Sequence, residues 1–381
     1  MSVRGAVLRE MGLPAPYADS RPLELVDLEL APTGRGELRV RVHAAGLCHS
    51  DLSVIDGSRP RVMPMVMGHE AAGEVLEVGE GAGAFEPGDH VVLAFVPACG
   101  RCAPCQVGRP ALCEPGAAAN AAGRLLSGAR RWGGQPGEEL HHHLGVSAFA
   151  EEIVVSAHSA VRVDRELPWE VAALFGCAVL TGVGAVVNTS GVKLGESVAV
   201  FGLGGVGLAA VLGAVAAGAH PVVVIDRVPE KLELAKSLGA TVTVLAGEDT
   251  VAAVREATDG GPDHAIETVG SENVLAEAYA ATRRGGSTVT VGLPHPDRML
   301  SIPAVSLVAE ERTLRGSYLG SCVPDRDIPR LIGLHRAGRL PVERLITHRL
   351  GLEELNEGFD RLAAGEAVRQ VVLPLVDSGQ S

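Results

Sequence analysis

The run Val198-Ala-Val-Phe-Gly-Leu-Gly-Gly-Val-Gly207 constrains this chain more than any other. Four apolar residues that suit a buried strand lead straight into a glycine-rich turn and then an Ala-rich helical run, Val206–Ala217. A Gly-x-Gly-x-x-Gly pattern is weak alone, but here it sits between a strand and a helix, the setting of a dinucleotide-binding turn. In that setting Gly202 allows the tight turn, Gly204 admits a pyrophosphate close to the backbone, and Gly207 lets the helix pack on the strand. The helix N-terminus then offers free amides and a positive dipole end to phosphate. Gly205 and Val206 belong to the same turn. Asp226 lies 19 residues beyond Gly207, at the end of the apolar run Val222–Ile225. A carboxylate there accepts hydrogen bonds from ribose hydroxyls and repels a 2′-phosphate, which favours NAD over NADP, although Arg227 follows directly.

The surrounding texture agrees. From about Leu180, strand-like runs (Ser197–Phe201, Val222–Ile225, His264–Thr268, Thr288–Val291) alternate with helical ones (Val206–Ala217, Pro229–Leu238), which implies βαβ units and a parallel sheet. Residues 1–95 read differently. Glu37–His43 alternates with period two, Gly73–Gly79 does likewise, and Pro87-Gly88-Asp89 marks a turn before Val91–Leu93. The expected architecture is α/β: a doubly wound parallel sheet domain of Rossmann type at 180–323, and a second, β-rich domain built from 1–179 and a return segment at 324–381. Aromatic residues make up only 3% of the 381 positions, so the cores must be assembled from Val, Leu, Ala and Ile.

Four of the seven cysteines fall within 15 residues, at Cys99, Cys102, Cys105 and Cys113. A loop rich in Gly, Pro and Arg cannot bury four sulfurs, whereas one tetrahedral Zn²⁺ satisfies them all; closed sites of this kind are structural. Disulfides fit poorly with an odd cysteine count and with an N-terminus lacking the pattern of a signal peptide. The spacing also departs from the ferredoxin run, in which the last gap is three residues and a proline follows. A net charge of −13 argues against a nucleic-acid or anionic-membrane partner. The stretch Val198–Ile225 is long and nearly uncharged, but its six glycines fit a strand–turn–helix–strand better than a membrane span. A soluble, cytoplasmic protein is expected.

Ligand-type residues recur in Cys48-His49-Ser50-Asp51, Gly68-His69-Glu70 and Gly176-Cys177, with no spacing that ties them together. Together with the four-cysteine loop, the glycine-rich turn, Thr181-Gly182 and the ending Gly358-Phe359-Asp360 … Gly365-Glu366-Ala367-Val368-Arg369, they resemble the zinc-dependent alcohol dehydrogenases of the medium-chain dehydrogenase/reductase superfamily. The likeness runs from about Arg4 to Leu375, and length and loop content are similar to the larger dimeric, class III-like branch.

The resemblance implies a GroES-like catalytic domain in which Cys48, His69 and Cys177 bind a second, catalytic Zn²⁺ with an open position, making two zinc ions per subunit. Glu70 would stand near that metal. Ser50 would hydrogen-bond the substrate hydroxyl. His49 and Arg369 would face the pyrophosphate of NAD, Thr181 and Val206 the nicotinamide, and Lys231 the adenosine ribose beside Asp226. Phe95, Ile55, Leu144 and Leu293 would line an apolar pocket. A histidine that completes a proton relay in some relatives is replaced by Ser53. The implied reaction is reversible hydride transfer between NAD and a primary or secondary alcohol, in a homodimer joined through strands around Leu300–Ile302 and Leu314–Tyr318.

Two other functions stay open: oxidation of an S-hydroxymethyl thiol adduct (formaldehyde dehydrogenase), and non-catalytic NAD binding. The acidic residues with which the glutathione-dependent branch faces its thiol are unmatched in Gly57-Ser-Arg59-Pro-Arg61, where the arginines read as a solvated loop tip. The stretch Glu114–Glu139 reads as a long surface loop, and its basic cluster at Arg124–Arg131 reads as solvated, with a small-anion site as the alternative. His141-His142-His143 reads as loop packing, His43 as structural, and Cys322 as a free thiol in the core or at an interface.

Overall fold

The structure, a computed structural model, describes residues 2–134 and 137–375. Met1, two positions of the expected surface loop and the last six of the return segment lie outside the described residues. The chain divides into two compact units, one of residues 1–177, 323–330 and 346–381, the other of residues 178–322 and 331–345. The return from the second unit is therefore not one block. Leu340, Val342 and Leu345 are fully buried and cluster with the second unit, and so carry 331–345 with it.

The second unit is built on six parallel strands in the order Val242–Leu245, Val222–Asp226, Val198–Phe201, His264–Glu267, Ser287–Thr290, Thr313–Gly316. Counted along the chain this is 3-2-1-4-5-6, the doubly wound order whose switch point lies between the first and fourth strands. Val198–Phe201 is buried at every position, as a parallel strand covered on both faces must be. Helix Gly205–Ala217 follows it and ends at Gly218, whose φ of 76° lets its N–H turn back to Ala214 and Val215. Leu300–Ile302 is not a strand: prolines at 294, 296 and 303 interrupt that segment, and the last strand of the sheet is Thr313–Gly316.

The first unit combines a closed barrel with a seven-stranded sheet. The barrel runs Ser2–Leu8, Leu23–Leu30, Trp132–Gly133, Glu139–His142, Met65–Val66. The sheet centres on the long strand Glu37–Leu47, which pairs with Ala71–Val78, Glu152–Ser156 and Arg369–Val372. Val7, Leu8, Val40, Val42, Met65 and Phe149 sit in one continuous core. His43 stacks on Trp169 with ring centroids 4.2 Å apart, a packing role.

The supposed surface loop after Cys113 carries structure. Helix Glu114–Ala121 occupies its start, and Leu125 and Trp132 are buried. Pro115 and Gly116, which read as breakers, instead open the helix, and Cys113 Sγ accepts the Gly116 N–H at 3.4 Å. The Arg124–Arg131 cluster is engaged: Arg130 pairs with Glu139, Arg131 with Glu37 at 2.8 Å, and Arg124 donates to the Gly128 carbonyl at 3.0 Å. His141 and His142 are likewise not in a loop but in a barrel strand paired in parallel with Met65–Val66. No helix among the described residues is long and apolar enough to cross a membrane.

Candidate active site

Strand Glu37–Leu47 delivers Cys48 to the N-cap of helix His49–Ile55. The helix leaves amides unpaired in its first turn, and Asp51 turns back so that its Oδ2 accepts the Cys48 N–H at 3.2 Å. His69 follows Gly68, where φ is 90° and a Cβ would stand 2.6 Å from the Phe149 nitrogen; only glycine fits. Cys177 follows Gly176, where a Cβ would stand 2.4 Å from the Leu93 carbonyl oxygen. Three separate segments thus bring Cys48, His69, Glu70 and Cys177 together, with their ligand atoms all within 4.8 Å of one another and every one of these residues buried.

The distances fit a metal. Cys177 Sγ lies 3.6 Å from His69 Nε2. A tetrahedral zinc with sulfur at about 2.3 Å and nitrogen at about 2.0 Å sets such a pair about 3.5 Å apart. The opposite ring nitrogen, His69 Nδ1, lies 2.9 Å from Asp51 Oδ1, which fixes the ring so that Nε2 faces the sulfurs. Phe95 meets the His69 ring edge-on at 5.5 Å. Burial alone would push the His69 imidazole down, but Asp51 and then Cys48 hold it well above its ordinary value. Burial would raise Asp51; the His69 and His143 imidazoles hold it well below the usual carboxylate range. Of the two thiols, Cys48 ionises first: its hydrogen bond with Cys177 pulls it well down, and the same bond pushes Cys177 up.

Glu70 is buried against Arg369, with which it forms an ion pair, and Arg369 also donates to the Leu47 carbonyl at 3.0 Å. Burial pushes the Glu70 carboxyl up to about 7 against the pull of that guanidinium. Arg369 is only 3% exposed, beside the ligand cluster. His49 is exposed and Ser50 half-buried in the first turn of the helix after Cys48. Ser53 donates its hydroxyl to the His49 carbonyl at 2.9 Å. Of the residues expected to line a pocket in this unit, Phe95 touches His69 and Leu144 is buried. Ile55 lies wholly within the hydrophobic core and is no wall, because the apolar face of its helix packs inward.

The second cluster joins Cys99, Cys102, Cys105 and Cys113. The Cys102 and Cys113 sulfurs are 3.9 Å apart, against the roughly 3.8 Å of two sulfurs on one tetrahedral zinc. Backbone amides of Cys99 and Cys102 point at Cys113 Sγ (3.2 Å) and Cys99 Sγ (3.4 Å), as thiolates need. The Arg101 and Cys102 amides lower the Cys99 thiol to about 6, whereas burial raises Cys105 to about 12.

In the other unit the glycine-rich turn has the expected form. Gly202 has φ 90°, and a Cβ there would strike Val269 at 2.5 Å. A Cβ on Gly207 would lie 1.9 Å from the Gly202 oxygen. Around Gly204, the N-cap of the helix, nothing lies within 4 Å of the Cβ position. Gly205 and Val206 form the first turn, half-buried. Asp226 accepts the Leu203 N–H at 2.6 Å and the Val228 N–H at 2.9 Å, so it braces the turn as well as ending its strand. Arg227 beside it is exposed, and Lys231 is half-buried in the first turn of helix Pro229–Ser237. Thr181 is buried, its hydroxyl without a hydrogen-bond partner among the described residues. Gly182, where a Cβ would meet the Val206 carbonyl at 2.3 Å, lets Thr181's helix approach that turn. Leu293 is 48% exposed in this unit. Cys322 is buried, with Sγ 3.3 Å from the Leu180 carbonyl.

In the sequence Asp51 stands only within the ligand-type run Cys48–Asp51 and His143 only within a run read as loop packing; neither is tied to His69. Asp51 carried a signal, since it stands three residues after Cys48 at a helix start; His143 carried none, because only the barrel pairing brings it to Asp51.

Two family models match, the alcohol dehydrogenase GroES-like domain over residues 34–165 and the zinc-binding dehydrogenase over residues 205–335. The chain is 40% identical to "Putative alcohol dehydrogenase D" of Mycobacterium tuberculosis, over 98% of this chain and all of that one. It is 37% identical to the NDMA-dependent alcohol dehydrogenase of Amycolatopsis methanolica, over 99% of this chain and all of that one. The crystal structure of benzyl alcohol dehydrogenase from Acinetobacter calcoaceticus superposes with a TM-score of 0.90 at 30% identity, over 98% and 99% of the two chains.

Proposed function

The chain belongs to the zinc-dependent alcohol dehydrogenases of the medium-chain dehydrogenase/reductase superfamily, and from that premise we propose that it catalyses reversible hydride transfer between NAD and a primary or secondary alcohol. The observation that carries the proposal is the buried set Cys48, His69 and Cys177, two sulfurs and one nitrogen within reach of one ion. Three protein ligands leave one tetrahedral position for substrate. A zinc ion held there supplies Lewis-acid chemistry, making an alcohol oxygen acidic near neutral pH and polarising a carbonyl in the reverse direction. The Cys99, Cys102, Cys105 and Cys113 set, with four sulfurs of its own, would hold a structural zinc.

The chain's own groups divide the remaining work. Asp51 holds the tautomer of His69 that leaves Nε2 free for metal. Ser50, at the start of the helix that Cys48 caps, accepts the alcohol's proton through its hydroxyl. Ser53 spends its own hydroxyl on the His49 carbonyl, so no relay histidine stands at this position to carry the proton onward. Gly202, Gly204 and Gly207 shape the phosphate turn, Asp226 receives the ribose hydroxyls with Lys231 nearby, and Thr181 offers its unspent hydroxyl to the nicotinamide carboxamide. His49 and Arg369 would face the pyrophosphate, as the family resemblance implies. The negative charge of Asp226 is the support for NAD over NADP.

The test is NADH formation from a panel of aliphatic and aromatic alcohols, with formaldehyde plus low-molecular-weight thiols as a separate arm and NDMA added in another. Alcohol-dependent NADH that disappears in Ser50→Ala supports the reading. Turnover only with a thiol adduct, or none under any arm, overturns it. We also propose a homodimer formed through the nucleotide-binding unit, where Val305 (72% exposed) and Val308 (83%) are left uncovered and Thr313–Gly316 is the terminal strand of the sheet. Light scattering should give twice the chain mass, falling to one chain in Val308→Asp.

A further inference from the structure

The reaction proposed above uses the end of the parallel sheet where Phe201 leads into the glycine-rich turn. At the opposite end of that sheet, within the same unit, three side chains form a hydrogen-bonded row that the reaction leaves unused. His264 opens the strand His264–Glu267 and pairs in register with Val198, the first residue of the neighbouring strand. Ser190 closes the π-helical run Ala185–Ser190, which Gly191 ends with a φ of 71°. Glu196 lies between that run and Val198. The Ser190 hydroxyl lies 2.7 Å from His264 Nδ1, and His264 Nε2 lies 2.8 Å from Glu196 Oε2. Glu196 is fixed in turn by the Lys193 N–H, which it accepts at 2.8 Å.

A carboxylate only accepts, so in the neutral ring Nε2 carries the proton and Nδ1 offers its lone pair to the serine O–H. Burial would raise Glu196, but His264 and the Lys193 amide hold it below its ordinary value, and it is ionised at neutral pH. His264 is 8% exposed, which shields the base from water. Ser190 is half-buried and borders open space, since nothing lies within 4 Å of a Cβ at Gly191. A nucleophile, a base and an orienting carboxylate within hydrogen-bond reach of one another activate a serine, whichever ring nitrogen serves which partner. We propose that Ser190 is a nucleophilic serine, with His264 as its general base and Glu196 positioning that base, in a second reactive site that takes the acyl group of an ester. Ser190 Oγ bonds to the ester carbonyl carbon while its proton passes to His264 Nδ1. The carbon–oxygen bond to the alcohol breaks, and the alcohol leaves with that proton. Water then cleaves the acyl-serine with the same assistance and releases the carboxylic acid. Arg315, which donates to the Thr189 carbonyl at 3.2 Å, brings positive charge to the peptide preceding Ser190, and fixed charge of this kind stabilises a developing oxyanion.

The test is labelling of the intact protein with a fluorophosphonate, which phosphonylates an activated serine and releases fluoride. Peptide mass spectrometry locates the label, and hydrolysis of p-nitrophenyl acetate is followed beside it. Wild type should be labelled at Ser190 and should release p-nitrophenolate faster than Ser190→Ala, which should carry no label. His264→Gln should slow labelling by about a hundredfold or more. Glu196→Gln keeps an oxygen for both hydrogen bonds and removes only the charge, so a purely structural contact would leave the rate alone; a loss of about tenfold or more is expected. Urea-unfolded wild type should stay unlabelled. Absence of label at Ser190 in the folded wild type overturns the inference without recourse to any variant. A labelling rate that His264→Gln, Glu196→Gln or unfolding leaves unchanged overturns it as well. None of the three residues is used in the hydride transfer, so zinc content and NADH formation test that reading independently.

Discussion

The glycine-rich turn makes a prediction in which two neighbouring substitutions part company. In Gly207→Ala the new methyl would lie 1.9 Å from the Gly202 oxygen and 2.9 Å from the Thr268 hydroxyl. Both the turn and the helix would have to move, an overpacking cost of about 1–3 kcal/mol. Gly204→Ala meets nothing within 4 Å, and its φ of −73° and ψ of −173° suit any residue. Restricting the unfolded chain gains roughly 0.4–1 kcal/mol, and replacing glycine by alanine at an N-cap loses a similar amount, so stability should stay level. The same methyl, however, projects into the space that a pyrophosphate must enter to reach the helix amides. Expected is a melting temperature within about 2 °C of wild type for Gly204→Ala and several degrees lower for Gly207→Ala. NADH affinity, read by fluorescence titration, should fall at least about tenfold in Gly204→Ala, equivalent to about 1.4 kcal/mol. Normal NADH binding in a stable Gly204→Ala protein would refute the argument that this turn receives the phosphates.

Three further outcomes follow from the same geometry. Cys102→Ala should lose one zinc per chain and about 2 kcal/mol or more of stability, because the remaining three sulfurs no longer close a site; a full zinc complement would contradict the four-sulfur reading. Asp226→Asn should move the NAD/NADP preference toward NADP by about tenfold or more, read as the ratio of kcat/KM values, since the charge that repels a 2′-phosphate is gone; an unchanged ratio would mean that Arg227 or another group decides. Burial, then Arg131 and His141, lower the His142 imidazole to about 3, and it accepts the Arg131 amide at 3.1 Å. Its ordinary value is about 6.5, so below that pH the unfolded chain holds a proton that the native chain lacks, and stability falls as pH drops toward 3, by up to about 1.4 kcal/mol per unit. His142→Gln, which keeps an acceptor, should flatten the urea midpoint between pH 6.5 and 4.5; an unchanged slope would contradict it.

What the sequence made legible was local. Val198–Phe201, Gly205–Ala217 and Val222–Asp226 were readable because apolar runs, glycines and a terminal carboxylate are adjacent in the chain, and the structure shifts their ends by a residue at most. Glu114–Ala121 was missed because proline and glycine in a first turn look like breakers, while the cap that makes them a helix start is a cysteine sulfur. The His141–His143 run was misread because a polar triplet gives no alternation; its burial comes from strands more than 70 residues away in sequence. The candidate ligand sets are the clearest case. Cys99–Cys113 announces itself by spacing, whereas Cys48, His69 and Cys177 share no spacing and emerged only through likeness to a family. Asp51 was visible only through its place three residues after Cys48 at a helix start, and His143, which the barrel pairing brings beside Asp51, gave no local signal.

The central claim is that three distant segments make one metal site with an open position. Zinc per chain, measured on purified wild-type protein and on Cys177→Ala, tests it most directly. The account predicts two zinc ions falling to one, with the four-cysteine loop still loaded. One zinc in both proteins would contradict it, leaving the Cys99–Cys113 loop as the sole metal site.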